Sequence, residues 1–426
     1  MGASRMHLRL RAAVTAAAVS AAFAGAFLVT GSAGSADASA DASVGAAGAA
    51  DGADFPALPA DDPFYVAPRG LAKLAPGTVL RSRPVTIRGL GLPMPVSAWQ
   101  VLYRSTDARG RPNAVSGTVA MLADGKPAAG RPLVAYNIGT HGLAPQCAPS
   151  FLVRKGEDPE EALMAGVVTR GWAIMVTDYE GQGTPGPHTY TSGLATGRAV
   201  LDGARAALRL PAAGLDGAAP VGLWGYSEGG FASTWAAELA PVYAPELNLA
   251  GTAAGGVPAD LMHTARKIDG GPLAGFLLAA AVGLDRADPR MKLAPLLNED
   301  GRDAVRTIKG MCASDWMPRF ANHPVRHFTM SPDPLALPQV ATVIGASRLG
   351  RGTPNAPMYV YEAGRDEFID VADVRALVRA YCRKGVTVAY DEDAAGDHLS
   401  TAVRNASAAL DWLEARFAGE QAPSTC

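Results

Sequence analysis

Residues 221–230 read Val-Gly-Leu-Trp-Gly-Tyr-Ser-Glu-Gly-Gly and contain the pattern G-x-S-x-G centred on Ser227. In this pattern the serine occupies a tight turn between a strand and a helix, and the flanking glycines avoid Cβ clashes there. An apolar run ends at Trp224 and a helix-forming run begins at Gly230, so the required context is present. Because the chain has 48 glycines, the pattern alone would also fit an ordinary glycine-rich turn. With its context, the segment predicts that Ser227 is a catalytic nucleophile.

Strand and helix patterns alternate on both sides of this segment. Short apolar runs predict eight buried strands: Val96–Leu102, Val115–Met121, Pro132–Tyr136, Trp172–Asp178, Val221–Gly225, Leu249–Ala254, Met358–Glu362 and Val386–Tyr390. Apolar spacing near 3.6 predicts five helices: Glu160–Arg170, Gly193–Leu208, Gly230–Ala240, Val371–Arg383 and Leu399–Ala418. This alternation predicts an α/β fold with a mostly parallel central sheet and helices on both faces. With the serine motif, it favours the α/β-hydrolase fold.

The alternation stops between residues 260 and 350. This stretch contains apolar and helix-like pieces, such as Pro272–Leu284 and Ala304–Ile308, but no clear strand. We therefore expect a helical cap inserted at residues 260–350, between the two parts of a core formed by residues 61–259 and 351–426. The segment Pro272–Leu284 would then line a substrate pocket, form part of a lid, or simply fill the interior of the cap.

A general base is expected late in the chain, because in this fold the acid and then the histidine follow the nucleophile. Four histidines follow Ser227 in sequence. His398 comes shortly after a late predicted strand, whereas His263, His323 and His327 fall in the predicted cap. We therefore predict that His398 is the general base.

The acid is expected in the loop after the preceding predicted strand, Met358–Glu362. Carboxylates at Asp366, Glu367 and Asp370 follow that strand, and spacing alone does not separate them. We choose Asp366 as the group that orients the imidazole and stabilises its charged form. Asp370 better fits the N-terminal cap of the helix predicted from Val371, and Glu367 stays an alternative.

Two backbone N–H groups are expected to stabilise the oxyanion of the reaction intermediate. One belongs to Glu228, the residue after the nucleophile, at the start of a helix. The other is expected in the loop at residues 137–142, where the backbone N–H of His141 or of Thr140 is the candidate donor. We assign no role as a base to the imidazole of His141.

Other classes of ligand find little support in the sequence. The formal net charge is −2, so the chain has no long-range field that would hold a nucleic acid. Residues 181–186 match the G-x-G-x-x-G pattern, but Pro185, Gly186 and Pro187 oppose the helix that a dinucleotide site requires. No histidine stands at a zinc-ligand spacing from a cysteine. We therefore expect neither a metal nor a nucleotide cofactor.

The first 40 residues have the layout of a secretory signal peptide. Three arginines precede an uncharged stretch of 19 residues, and Ala36, Ala38 and Ala40 offer cleavage sites. A retained membrane anchor is the alternative, but the stretch is rich in alanine and poor in leucine and isoleucine. We expect a secreted, extracellular protein in which residues 41–60 form a flexible leader.

Seven short motifs run from about residue 61 to the C-terminus: Asp62–Tyr65, Pro76–Leu80, Cys147–Ser150, Gly225–Gly230, Tyr243–Asn248, Gly270–Pro272 and Asp397–Leu399. In them the chain resembles the secretory lipase family of α/β hydrolases, the type represented by Candida lipase A and its actinobacterial relatives. The resemblance implies Ser227 as nucleophile, Asp366 as acid and His398 as base. It also implies His141 as the second oxyanion donor, at a position where the yeast enzyme has an acidic residue.

The resemblance also bears on the four cysteines. Export would expose them to an oxidising compartment, and spacing alone leaves all three connectivities open. The family implies a disulfide from Cys147 to the cap cysteine, Cys312, and with it a second disulfide from Cys382 to Cys426.

Sequence and resemblance together predict a secreted serine ester hydrolase, a triacylglycerol lipase or carboxylesterase that forms an acyl-enzyme. Its substrate would be an acyl ester or lipid, with a transient contact between the cap and a lipid interface. An acyltransferase or peptidase with the same triad is an alternative, because a triad does not specify its acyl acceptor. The alternative outside enzymes is an inactive binding protein on this fold.

Overall fold

The computed structural model describes residues 55–426, and residues 58–426 form one compact unit. The predicted signal peptide, residues 1–40, and most of the predicted leader lie outside the described residues. Within residues 55–426, no helix combines the length and the apolar character needed to cross a membrane.

The described part of the chain contains eleven strands. Their bounds are β1 Val79–Pro84, β2 Arg88–Gly89, β3 Leu92–Pro93, β4 Val96–Thr106, β5 Pro112–Leu122, β6 Leu133–Asn137, β7 Ala173–Thr177, β8 Val221–Tyr226, β9 Leu249–Gly255, β10 Met358–Ala363 and β11 Val388–Asp393. Nine of them form one sheet in the order β1-β4-β5-β7-β6-β8-β9-β10-β11, and β2 pairs with β3 separately. From β7 to β11 all neighbours are parallel. At the other edge, β1, β4 and β5 pair antiparallel.

This mostly parallel sheet with flanking helices confirms the predicted α/β-hydrolase fold. All eight strands predicted from apolar runs are present, whereas β1 and the two-residue strands β2 and β3 were missed. The longest of the three is β1. Its sequence, Val-Leu-Arg-Ser-Arg-Pro, lacks a buried apolar run because β1 is an edge strand. Its arginines bind polar groups instead: Arg83 pairs with Asp62 at 2.5 Å, and Arg81 donates to the carbonyl of Val66.

Twelve α-helices accompany these strands in the described residues. Their bounds are α1 Pro149–Lys155, α2 Glu161–Val168, α3 Gly193–Leu208, α4 Glu228–Tyr243, α5 Leu261–Ile268, α6 Ala274–Ala287, α7 Glu299–Ile308, α8 Ala313–Phe320, α9 Pro338–Ala346, α10 Val371–Arg383, α11 His398–Arg404 and α12 Ala406–Phe417. Helix α4 packs on β8 and β9, and α12 packs on β9. The single helix predicted over Leu399–Ala418 is in fact two, α11 and α12, which meet at Asn405.

Helices α5 to α9 all lie between β9 and β10, and the described chain has no strand in that interval. Buried side chains of these helices, such as Leu278, Trp316 and Phe320, form a hydrophobic cluster distinct from the main core. Leu143 and Tyr190, from the loops after β6 and β7, belong to the same cluster. The inserted helices therefore pack on loops at the carboxyl ends of the parallel strands.

Both disulfides implied by the family resemblance are present. Cys147, after β6, bonds to Cys312, which precedes α8, and their Cα atoms are 5.5 Å apart. Cys382, in the last turn of α10, bonds to the C-terminal residue, Cys426. One disulfide therefore ties the inserted helices to the core, and the other ties down the C-terminus.

Candidate active site

Ser227 lies in the turn between β8 and α4 with φ 58°, a conformation uncommon for residues other than glycine. The glycines that follow it are required by close backbone contacts. A Cβ atom on Gly229 would lie 1.8 Å from the carbonyl oxygen of Asn137, and one on Gly230 would lie 2.1 Å from that of Gly255. The sequence thus allows α4 to start against the ends of β6 and β9, which holds Ser227 at the carboxyl end of β8.

His398, at the start of α11, connects Ser227 to Asp366. Its Nε2 lies 2.9 Å from Oγ of Ser227, and its Nδ1 lies 2.5 Å from Oδ2 of Asp366. The other oxygen of Asp366 accepts the backbone N–H groups of Phe368 and Ile369, at 2.8 and 2.7 Å. The carboxylate is therefore fixed by the backbone on one side and aimed at the imidazole on the other.

The two alternative acids have other partners. Oε2 of Glu367 accepts the backbone N–H of His398 at 3.0 Å, so it contacts the main chain of that residue. Asp370 accepts the N–H of Ala372 and caps α10, as the sequence suggested. Of the three candidate carboxylates, Asp366 is the one that contacts the imidazole of His398.

The three other downstream histidines lie away from this cluster. His263 has a side chain that is 58% exposed and pairs with Asp373 at 2.9 Å. His323 contacts the carbonyl of Ala321. His327 is likewise half-exposed in the inserted segment, with its partner carboxylate 3.9 Å away. The structure brings none of them to Ser227.

A second buried carboxyl group, Glu362, lies next to Asp366. Its oxygens accept the N–H groups of Val257 and Ala363, at 3.1 and 3.0 Å. Burial, and then the charge of Asp366, raise the pKa of Glu362 well above its usual value, which favours its neutral form. Burial also opposes the charge of Asp366, but the hydrogen bond and charge of His398 hold the pKa of Asp366 below its usual value. Both shifts favour a neutral Glu362 beside a charged Asp366, the residue that faces the imidazole.

The loop after β6 presents two free backbone donors. The carbonyl of Ile138 accepts the hydroxyl of Tyr179 at 3.0 Å, and the carbonyl of His141 accepts the N–H of Ala313 at 2.8 Å. Among residues 55–426, the N–H groups of Thr140 and His141 have no hydrogen-bond acceptor. Both candidate donors are thus available, and the loop that carries them is fixed at its carbonyls.

The side chain of His141 is buried and held at both ring nitrogens. Nδ1 lies 3.0 Å from the carbonyl oxygen of Gly139, and Nε2 lies 3.3 Å from a carboxylate oxygen of Asp158. Glu160 supports the same loop by accepting the N–H of Gly139 at 2.8 Å. Burial opposes a charge on His141, but the adjacent Asp158 outweighs it and raises the pKa of His141 to about 9.

Glu228, the first residue of α4, is held in a similar way. Its Oε1 lies 2.8 Å from Nε2 of His188, and Nδ1 of His188 lies 3.0 Å from the carbonyl oxygen of Glu180. The ring of His188 stacks on Tyr179 with 5.6 Å between ring centroids. As the first residue of a helix, Glu228 has a backbone N–H without an intrahelical acceptor.

A largely apolar cavity opens beside Ser227. Thr140 and Glu228 line it next to the serine hydroxyl. Much of the remaining lining comes from α5, α6 and α9: Leu261, Ile268, Leu277, Leu284, Val340 and Ile344. The segment predicted over Pro272–Leu284 therefore contributes to the wall of this cavity.

The sequence model of the secretory lipase family matches residues 157–425, which is more than half of the chain. The chain belongs to the secretory lipase family. Lipase 5 of Candida albicans is 32% identical over 88% of this chain and 84% of its own length. A secreted triacylglycerol lipase of Malassezia globosa is 31% identical over 87% of this chain and 83% of its own. Membership makes the protein a carboxylic ester hydrolase by class.

Two further comparisons refine this placement within the secretory lipases. The crystal structure of Candida antarctica lipase A in its closed state superposes with a TM-score of 0.79 and 26% identity, covering 87% of this chain and 89% of that one. A probable inactive lipase of Mycobacterium tuberculosis is 37% identical over 86% of this chain and 84% of its own length. One relative is thus described as inactive, so the activity of this chain depends on its own residues.

Sequence reasoning missed two side chains of this site, Asp158 and His188. Neither belongs to a motif, and each lies in a loop at a distance in sequence from its partner. The turn at residues 178–183, which follows β7, also adjoins the site. In that turn the hydroxyl of Tyr179 donates to the carbonyl of Ile138 in the loop after β6, and the carbonyl of Glu180 contacts His188.

Proposed function

We propose that this protein is a secreted triacylglycerol lipase or carboxylesterase that uses Ser227, His398 and Asp366 as its catalytic triad. The observation that carries the proposal is the position of His398, whose two ring nitrogens lie 2.9 Å from Ser227 and 2.5 Å from Asp366. These are the contacts that a hydroxyl nucleophile, its base and an orienting acid require.

The proposed reaction begins when Oγ of Ser227 attacks the acyl carbon of an ester and Nε2 of His398 accepts the hydroxyl proton. Asp366 stabilises the resulting imidazolium through Nδ1. The intermediate then collapses, Nε2 donates the proton to the leaving alcohol, and an acyl-enzyme remains on Ser227. A water molecule, deprotonated by the same nitrogen, attacks the acyl-enzyme and releases the carboxylic acid.

In the proposed mechanism, two backbone donors from separate loops stabilise the oxyanion of the intermediate. Glu228 supplies the N–H at the start of α4, where the helix dipole also favours negative charge. The second N–H comes from the loop at residues 137–142, which we call the oxyanion loop. Its family-implied donor is His141, and Thr140 is the neighbouring residue on the cavity wall. Both N–H groups of this loop lack an acceptor within the described residues, which supports the assignment.

The proposed substrate is an acyl ester whose hydrocarbon chain enters the cavity beside Ser227. The wall is built from leucine, isoleucine, valine and phenylalanine side chains, which favour an alkyl chain over a peptide or a sugar. We propose that residues 260–350 form a cap over this cavity and contact a lipid interface transiently. The flanking residues 61–259 and 351–426 would form the hydrolase core.

Export is part of the same proposal. The family is secretory, and its Malassezia relative is described as secreted. We propose that residues 1–40 are removed as a signal peptide and that residues 41–60 form a flexible leader to the mature enzyme. Mass spectrometry of the exported protein would test this, since an intact N-terminus would contradict it.

The decisive experiment compares the native protein with Ser227→Ala and with Ser407→Ala, a matched change of an exposed serine on α12. The native protein and Ser407→Ala should hydrolyse p-nitrophenyl esters and react with a fluorophosphonate probe, whereas Ser227→Ala should do neither. Absence of labelling of the native protein would favour an inactive binding protein on this fold; the mycobacterial relative is described as a probable inactive lipase. Faster turnover of aminoacyl amides than of esters would favour a peptidase, and net acyl transfer to an added alcohol would favour an acyltransferase.

A further inference from the structure

Each residue that supplies a proposed oxyanion donor has its side chain held by a buried partner outside the triad. Glu228 pairs with His188 at 2.8 Å, and the two side chains are 3% and 1% exposed. His141 pairs with Asp158 at 3.3 Å, and these side chains are 2% and 0% exposed. Each of the two proposed donor residues thus belongs to a buried imidazole–carboxylate pair.

Both imidazoles also bind a backbone carbonyl through their second ring nitrogen. His188 contacts the carbonyl of Glu180, and His141 contacts the carbonyl of Gly139, each at 3.0 Å. Carbonyl and carboxylate oxygens only accept hydrogen bonds, so both ring nitrogens of each imidazole face acceptors. Each imidazole is therefore held between a carboxylate and the backbone, and it ties the side chain of a proposed donor residue or its partner to a neighbouring loop.

The two pairs are joined by Tyr179. Its ring stacks on His188, and its hydroxyl donates to the carbonyl of Ile138 in the oxyanion loop at 3.0 Å. Tyr179 also has φ 60°, a strained conformation for a tyrosine, which its surroundings must impose. If the ring of His188 moved, Tyr179 would therefore shift with it and displace the loop that carries His141.

We propose that His188 and Asp158 are positioning residues, which fix the two backbone donors of the oxyanion hole through Glu228 and His141. This inference rests on the proposed function. Buried ion pairs contribute little net stability compared with well-packed apolar side chains, so stability alone gives no reason for two of them at this place. Positioning of the backbone donors gives such a reason, because displacement of a catalytic group by about 1 Å lowers the rate about a hundredfold.

The test measures kcat and KM for a short p-nitrophenyl ester, per active site titrated with a fluorophosphonate. The variants are His188→Ala, Asp158→Ala and Asp158→Asn, with His263→Ala as the control, because His263 forms an exposed pair with Asp373. We expect kcat to fall about tenfold to a hundredfold in both alanine variants, with KM changed less than about threefold. Asp158→Asn should recover part of the loss because its amide oxygen still accepts from Nε2 of His141. His263→Ala should keep the native kcat.

Folding is checked separately by thermal melting and by the fraction of protein that the probe labels. If an alanine variant does not fold, Tyr179→Phe provides a milder test, since it removes only the hydroxyl that binds Ile138. The inference would be overturned by variants that are less stable but keep the native kcat per labelled site. Failure of the proposed function looks different, because the native protein itself would then neither react with the probe nor hydrolyse the ester.

Discussion

Nε2 of His398 lies 2.9 Å from Oγ of Ser227, although 171 positions of sequence separate the two residues. Ser227 follows β8 and His398 follows β11, and Asp366 between them follows β10. These strands are parallel and lie in the order β8-β9-β10-β11, so the loops that follow them meet at one edge of the sheet. The inserted helices between β9 and β10 then lie over that edge. The sheet order therefore brings His398 to Ser227, and the inserted helices line the apolar cavity beside the same serine.

The identity of the acid is tested by Asp366→Asn. The neutral amide would not stabilise the imidazolium and would favour the wrong tautomer of His398, so kcat should fall by about 10⁴-fold. Steady-state hydrolysis of a p-nitrophenyl ester, normalised to folded protein, measures this. Glu367→Gln and Asp370→Asn are matched controls and should each change kcat by less than about tenfold. A larger loss in Glu367→Gln than in Asp366→Asn would transfer the role to Glu367.

Glu362→Gln tests the neutral state assigned to the buried neighbour of the acid. Glutamine has the shape of a protonated glutamate and can still donate to Asp366, so kcat should stay within about threefold of the native value. Glu362→Ala should lower the free energy of unfolding by about 1–3 kcal/mol, because the N–H groups of Val257 and Ala363 lose their acceptor. Denaturant titration and ester hydrolysis check both outcomes. A large loss of kcat in Glu362→Gln would show that a charged Glu362 is needed.

Local sequence predicted the parts of the site that depend on short-range rules. The elbow at Ser227 could be predicted because glycines at fixed positions are required wherever α4 approaches β6 and β9. The order of acid and histidine after the nucleophile pointed to His398 as the base and to the loop after β10 for the acid, where Asp366 was chosen and Glu367 stayed an alternative. The partners Asp158 and His188 could not be predicted, because their roles arise only when separate loops pack together. The break of the last predicted helix at Asn405 was also missed, since the apolar spacing continues across it.

The size of the acyl group is tested at Ala280, which lines the cavity from α6. Ala280→Trp fills part of the space beside the other apolar side chains, so kcat/KM should fall at least about tenfold for long-chain esters and little for acetate or butyrate esters. A series of p-nitrophenyl esters of increasing chain length measures this. Ala408→Trp places the same side chain at an exposed position of α12 and should leave the series unchanged. Equal losses for short and long esters would place the acyl chain elsewhere.

The two disulfides should differ in their effect on activity. Removing either by paired Cys→Ser changes should lower stability by about 2–5 kcal/mol. Cys147–Cys312 also lies where the oxyanion loop meets the inserted helices, because the N–H of Ala313 donates to the carbonyl of His141 at 2.8 Å. Its loss should therefore lower kcat as well, whereas loss of Cys382–Cys426 should lower only the melting temperature. Equal kcat values in the two double variants would contradict this difference.

The ionisation of His141 should make stability depend on pH in the alkaline range. Its pKa is about 9 in the folded protein and about 6.5 in an unfolded chain, so its contribution is complete below about pH 6.5 and is lost as the pH rises through 9. Asp158, Glu160 and the hydroxyl of Tyr136 are the ionisable groups around it. Asp158→Asn removes the partner that raises the pKa, so the native melting temperature should decline more steeply than that of the variant between pH 7 and 10. Parallel curves for the two proteins would show that His141 is neutral in the folded state.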